Sequence, residues 1–531
     1  VGTLWYGGTI YTMVEEGEKV EAVLVEDGVI QAAGKEEVLR DEWKHKITEE
    51  IQLHNQVMYP GFVDSHLHLI GHGEKLLRLD LTNAKSGEEV LALLKQKASE
   101  VEKGEWIIGE GWDENQWDHP YILHRQQLDE VAPNHPLIIK RVCRHALIAN
   151  SKALEISGLS KEIKDPIGGV IHRDEDGTPN GFLLDQAQEL VTAYIPLATE
   201  AYLQKALTVA IDDCLQYGLT GGHSEDLNYY GGFLRTYETF KRVIDGTQKK
   251  FRAHLLVHHE VVDDMMKLDE KTKNESPFIE LGAVKIFSDG SLGSQSALLS
   301  FPYHNDPSTN GVAIHSLDDL KGIVKKAREY GQTVAVHAIG DLAYEYVVDS
   351  IEEHPPKDGQ RDRIIHAQIL RKELIERTKA LPVVLDIQPR FVVSDFPWVV
   401  ERIGEENLPY CYAWKTLIEE GILCAGGSDA PIEPVNPLLG IEAAVTRRAL
   451  SDGNMYSPQE TLSVFEAVQL FTLGSAQAIY QEDKKGYIRE GYVADFTVLE
   501  EDLFEINEKE ISKVAVALTV VDGTVMYRKE N

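Results

Sequence analysis

The pair His66 and His68, in the run Asp64-Ser65-His66-Leu67-His68, stands where an apolar, β-type segment ends. On a strand, alternate residues share a face, so both imidazoles could reach one divalent cation. Four more residues of ligand type close similar segments: Lys285 in GAVKIFSDG, His337 in TVAVHAIGD, His366 in RIIHAQIL and Asp429 in GGSDAP. Four imidazoles, an amine and a carboxylate form a set able to hold metal, acidify a water and move a proton. Taken singly, each has an ordinary explanation. An HxH pair is often two surface histidines, and a strand histidine is often a hydrogen-bonded core residue. Lys285 could be a salt-bridged core lysine, although buried lysine is uncommon without a partner. Asp429 could cap a following helix. The metal reading rests on the conjunction of five segment ends that all carry such residues.

Those ends need a frame that points them at one place. Eight segments read as strands: VMYPGFVDSHLHL, GLTGGHSE, RAHLLVHHE, GAVKIFSDG, TVAVHAIGD, RIIHAQIL, VVLDIQPR and ILCAGGSDAP. Helical patterns such as LDDLKGIVKKAREYG and KELIERTKALP fill most of the gaps between them. Eight β/α units predict an α/β fold, a TIM-type (β/α)8 barrel over 60–481, with its active site at the carboxyl ends of the strands. The gap between the first and second strands is too long for one helix and predicts an inserted subdomain at about 105–197. Both ends of the chain are β-rich, with hairpin signals at Asp27-Gly28 and Asp522-Gly523. They predict a small β-sandwich built from 1–59 and 482–531.

The formal net charge is −34, from 53 basic and 87 acidic residues. A field of that sign repels polyphosphate and anionic lipid, so no nucleic acid and no membrane is expected as a partner. It leaves a small-molecule substrate open, because metal ions reverse the sign inside a pocket. The four cysteines form no CxxC pair. The N-terminal VGTLWYGGTIYTM lacks the pattern of a signal peptide, and no apolar run reaches the roughly 18 residues of a membrane span. The expectation is a cytoplasmic enzyme, with a homodimer as the default assembly.

PGFVDSHLHL, VKIFSDGSLGS, VAVHAIGD, RIIHAQ and GGSDAPIEP together resemble the amidohydrolase superfamily, over almost the whole chain. GWDENQW and RHALIANSKAL resemble its amidohydrolase 3 branch, the N-substituted formamide deformylase-like or YtcJ-like hydrolases. The resemblance implies two divalent metal ions, zinc in the usual case. It implies that His66 and His68 bind one ion with Asp429, and that His337 and His366 bind the second. Lys285 would be carboxylated by carbon dioxide and bridge the two as a carbamate. Asp429 would be the catalytic proton carrier, and the bond cleaved an amide-type carbon–nitrogen bond outside peptides, as in an N-substituted formamide or N-acyl amine. One departure stands at Ile365, where the family often has an acid before its histidine. An altered packing, with ligation retained, is expected there.

Trp112 and His145 lie in the expected insert and could roof the pocket and select substrate, or Trp112 could be insert core. His223, closing the second strand, could face substrate or fill the barrel mouth; Asp395 is a further substrate-binding candidate. Two other functions compete. A deaminase of the same superfamily acting on a heterocycle commonly needs one metal and no bridging lysine. A non-catalytic regulatory protein on this scaffold would have no physical need of the full ligand set.

Overall fold

A computed structural model describes residues 2–141, 146–166 and 169–530. Eight parallel strands form its centre: β1 (Phe62–Leu67), β2 (Leu219–Ser224), β3 (Arg252–His258), β4 (Ile279–Phe287), β5 (Val334–Ala338), β6 (Asp362–His366), β7 (Val383–Ile387) and β8 (Leu423–Gly426). They follow one another in a single sheet, each paired to the next. All eight coincide with the segments expected from the sequence. Where β8 comes back to β1 the edge is tied by backbone bonds, Asp429 N donating to the His66 carbonyl and His68 N to that of Ala430, both at 2.8 Å. The frame is thus a TIM-type barrel.

The strands are apolar along their length because both faces are covered, one by helices and one by the barrel's own interior. Leu256, Ala283, Ala335 and Ile365, from β3 to β6, pack as one interior layer. Two residues further along β3, β4 and β5 come His258, Lys285 and His337. Strand alternation therefore turns these three side chains into the same interior, one layer nearer the carboxyl ends. Ile365 belongs to the packed layer below, which is the role expected of it.

Both chain ends contribute to one further sheet. Its strands run in the order Thr524–Arg528, Val516–Val521, Phe496–Leu499, Val57–Pro60, Gly2–Tyr11, Lys19–Glu26 and Val29–Gly34, with Ile47–Gln52 paired beside Gly2–Tyr11. It encloses a core of Trp5, Ile10, Val23, Met58, Phe496, Val498 and Val520. Trp5 meets Phe496 edge to face at 5.8 Å, so the two ends share one interior.

Glu74–Thr199 forms a separate compact unit. It starts earlier than the stretch at 105–197 picked out by sequence. The helix Gly87–Glu100 has the amphipathic pattern of a barrel helix, but Val90 and Leu94 pack with the unit's own Leu128, Leu137 and Ile139. Adjacent residues of its sheet serve opposite cores: Ile139 and Ile148 face one, Ile138 and Leu147 the other. Cys214, Cys411 and Cys424 are buried free thiols; Cys143 lies outside the described residues. No helix among the described residues is long and apolar enough to cross a membrane.

Candidate metal centre

His66, His68 and Asp429 converge at the closure of the barrel. Asp429 Oδ1 is 3.2 Å from His68 Nε2 and 3.5 Å from His66 Nε2. Ligand atoms about 2.0–2.1 Å from a tetrahedral ion stand about 3.3–3.4 Å apart, so these three fit around one cation. His66 lies 5.7 Å, ring to ring, from His366, which lies 4.5 Å from His337. Lys285 is fully buried with no hydrogen-bond partner on Nζ, and sits 4.2 Å over the Phe287 ring. An orphaned amine beside four imidazoles and a carboxylate fits a metal-binding set, because a buried polar group without a partner is costly unless something fills the space before it.

The hydrogen bonds fix which ring nitrogens are free. His68 Nδ1 lies 2.7 Å from the Glu225 carbonyl, which can only accept, so Nδ1 carries a proton and Nε2 is the nitrogen turned toward Asp429. His337 Nε2 meets the Gly290 carbonyl at 3.0 Å, leaving Nδ1 free. His366 Nδ1 is 2.7 Å from Gln388 Oε1, whose amide is oriented by Nε2 donating to the Asp386 carbonyl. Its Nε2 is therefore free as well. Second partners of this kind orient ligating histidines in metal sites.

Backbone strain gathers at the same ends. His366 has φ +80°, Ala367 +47° and Asp429 +58°. Ile365 already points into the barrel, so alternation would turn His366 outward, and the left-handed backbone re-aims it. Strain at such positions persists only where surroundings over-determine it.

Electrostatics favour the neutral, ligating form at His66 and His366. Burial, then the neighbouring Lys285, holds His66 well below the usual imidazole range. Burial and His337 bring His366 down to about 3. For His68, burial is outweighed by the hydrogen bond to Asp429 and by nearby carboxylates, raising it to about 9; that proton is what a cation would displace. Burial lowers Lys285 below the usual amine range, opposed chiefly by Glu225, Asp429 and Asp386.

Three acids that sequence reasoning missed hold this arrangement. Asp64 accepts from His66 N at 3.0 Å and from Ser428 N and Oγ at 3.1 and 2.5 Å, locking β1 to the loop that carries Asp429. Gly427 in that loop passes so close that a Cβ would lie 2.7 Å from His66 N. Asp289 accepts from Leu298 N, Ile339 N and Gly340 N, joining the loops after β4 and β5. Glu225, fully buried after β2, accepts from Tyr229 Oη at 3.0 Å and stands 3.6 Å from His68 Nδ1, with Oε1 unpartnered. Glu225 and Asp64 lie beside recognisable histidines, and the acid-beside-histidine pattern was the available signal. Asp64→Ala, which removes three bonds behind His66 and Asp429, is expected to lower metal affinity about 10–100-fold with the fold intact. Metal titration beside circular dichroism checks this.

The substrate candidates are placed differently from the ligands. Trp112 is fully buried in the core of the 74–199 unit, 6.2 Å from Trp117. That is the packing alternative. His145 lies outside the described residues. His223 is buried with its ring 5.1 Å from that of His254, on the side of the barrel where the strands begin. Asp395 accepts from Tyr412 Oη at 2.7 Å and Gln368 Nε2 at 3.1 Å, and burial pushes it up to about 7. Phe391 stacks on His366, centroids 5.9 Å apart, as an apolar wall.

The amidohydrolase family matches residues 49–527. The chain belongs to that family. It is 51% identical over 528 residues to YtcJ of Bacillus subtilis (strain 168), covering 99% of each chain. It is 25% identical over 532 residues to the N-substituted formamide deformylase of Arthrobacter pascens, covering 96% of this chain and 95% of that one. A solved structure of an uncharacterized metal-dependent hydrolase from Pyrococcus furiosus superposes with a TM-score of 0.80 at 29% identity, covering 95% of this chain and all of the other. The protein is accordingly a metal-dependent hydrolase of the amidohydrolase superfamily.

Proposed function

We propose that this amidohydrolase cleaves an amide-type carbon–nitrogen bond in a small, non-peptide substrate, an N-substituted formamide or N-acyl amine. The observation that carries the reading is the buried, partnerless Lys285 amine among four imidazoles and Asp429. Likeness to a formamide deformylase over nearly the full chain supports the bond class.

His66, His68 and Asp429 would hold one divalent ion, and His337 and His366 a second. Lys285, carboxylated by carbon dioxide, would join them; zinc suits a set this rich in imidazole. Such ions, when bound, lower the pKa of water and polarise a carbonyl. The protein's own groups do the rest. The Asp429 carboxylate accepts the proton of the attacking water and returns it to the leaving nitrogen. Asp64 and Gly427 hold that carboxylate's loop, and the outer hydrogen bonds of His68, His337 and His366 keep each ring in one orientation. Phe391 and Phe287 exclude bulk water from the imidazoles they cover, which strengthens the electrostatic interactions inside.

Prolonged chelation is expected to abolish turnover of N-substituted formamides, and added zinc to restore it. Full turnover in verified metal-free protein would refute the metal. Metal-replete protein inert toward every formamide and N-acyl amine in a broad panel would refute the bond class instead.

A further inference from the structure

The end of β3 carries an imidazole that the metal centre does not use. His258 stands one layer above Leu256 and is paired across the ladder with Lys285 on β4. Its ring packs against that of Phe287, centroids 5.9 Å apart. Phe287 in turn meets the His337 ring at 5.3 Å and the Lys285 amine at 4.2 Å. One aromatic ring thus lies between His258 and the groups read as metal ligands. Tyr229, from the loop after β2, meets the imidazole edge to face at 6.3 Å. His258, His337 and Asp429 are each 8% exposed, whereas Lys285 and Glu225 are wholly buried. The imidazole therefore stands at a depth that solvent still reaches, as the outermost ligands do.

The hydrogen bonds decide how the ring can act. Glu260 N donates to His258 Nδ1 at 3.3 Å, so the proton of the neutral ring sits on Nε2, at the tip away from the backbone. No group among the described residues accepts that proton. The Glu260 carboxylate lies 3.9 Å away on the Nδ1 side and accepts from Asn228 Nδ2 at 3.0 Å. Glu225 Oε2 takes the Tyr229 hydroxyl, and Oε1 has no hydrogen-bond partner. A donor left open in this way binds water until a ligand displaces it. A ligand that offers no acceptor then leaves the donor unpaired, at a cost.

We infer that His258 recognises the substrate, its Nε2–H donating to a second acceptor that lies in the N-substituent, several bonds from the scissile amide. The inference rests on the amide-hydrolase reading above and adds to it a class of substrate: amides whose N-substituent carries an uncharged oxygen, as an ether, hydroxyl or carbonyl. The Phe287 ring sets the separation between this acceptor and the metal ligands. Two carboxylates near the ring, those of Glu260 and Glu225, disfavour an anionic group there. One donor flanked by the rings of Phe287 and Tyr229 is the pattern of pockets in which few polar groups fix orientation among apolar ones.

The test compares two isosteric amides, N-butylformamide and N-(methoxyethyl)formamide, which differ by an ether oxygen in place of a methylene. The metal-loaded protein's selectivity is read as a ratio of kcat/KM where the amides are turned over, and as a ratio of Kd by calorimetry where they are not. Wild type is expected to favour the ether about tenfold, the size of one hydrogen bond with its unpaired donor. That comparison needs no variant, and equal selection by wild type, or binding of neither amide, overturns the role. His258→Phe keeps an aromatic ring against Phe287, and the ratio is expected to fall to about one. His258→Gln places an amide N–H near the position of Nε2, and part of the ratio is expected to return. Circular dichroism and metal content are measured on both variants. A ratio unchanged in His258→Phe overturns the proposal. Selective binding without turnover in wild type would refute the bond class and leave the recognition role standing.

Discussion

Asp429→Asn is expected to fold like wild type and to lose about 10²-fold or more in turnover. The carboxylate stands 3.2 and 3.5 Å from the His68 and His66 Nε2 atoms. Asparagine keeps the size and one oxygen, so the strained turn at φ +58° and its backbone bonds to β1 can persist. It cannot take a proton from water. Metal content should fall only in part, because the two imidazoles remain. Turnover and metal content measured on the same preparation separate the roles. Near-normal turnover would show that another carboxylate is the base, and Glu225, with an unpartnered oxygen, would be the first to examine.

Lys285→Ala is expected to lose one or both ions and to reduce turnover by about 10²–10³-fold, the range of losing a preorganised electrostatic group. An ammonium in that place would repel two dications, whereas a carbamate offers two anionic oxygens. The residue is wholly buried and its amine meets the Phe287 ring but has no hydrogen-bond partner, so no ion pair among the described residues accounts for it. Short carboxylic acids added to the variant should restore part of the metal content and rate. Density for an unmodified lysine beside a single fully occupied ion, in protein prepared with bicarbonate and excess metal, would refute the bridge.

The barrel was legible in the sequence because each strand is a compact apolar run closed by a polar residue, and the helices between them have a clear period. His66, His68, His337, His366 and Asp429 were legible for the same reason, standing where those runs stop. Asp64 was visible as a letter in the first run, but its work is done on Ser428, 364 residues away. Glu225 bonds Tyr229 nearby, while its contact with His68 crosses from β2 to β1. No spacing rule reports such contacts. The helix Gly87–Glu100 has the same periodicity whether it covers a barrel or another unit, so the early start of the 74–199 unit left no local sign. His223 illustrates a different limit. A strand places its side chain inside the barrel, but whether it serves the upper or lower end depends on the height of its neighbours.

The sheet joining the chain ends also sets a timetable for biosynthesis. Val57–Pro60 pairs on one side with Gly2–Tyr11 and on the other with Phe496–Leu499. Between the last residue of the one strand and the first of the other lie 435 residues (496 − 60 − 1). At about 5–20 residues per second on the ribosome, that interval lasts roughly 20–90 s. Throughout it the apolar run VMYP has an open edge of the kind that invites pairing with foreign chains. The core around Trp5 and Met58 cannot close until Phe496 and Val498 emerge. A segment made before the barrel is thus among the last to fold, and it waits unprotected while the barrel is being made.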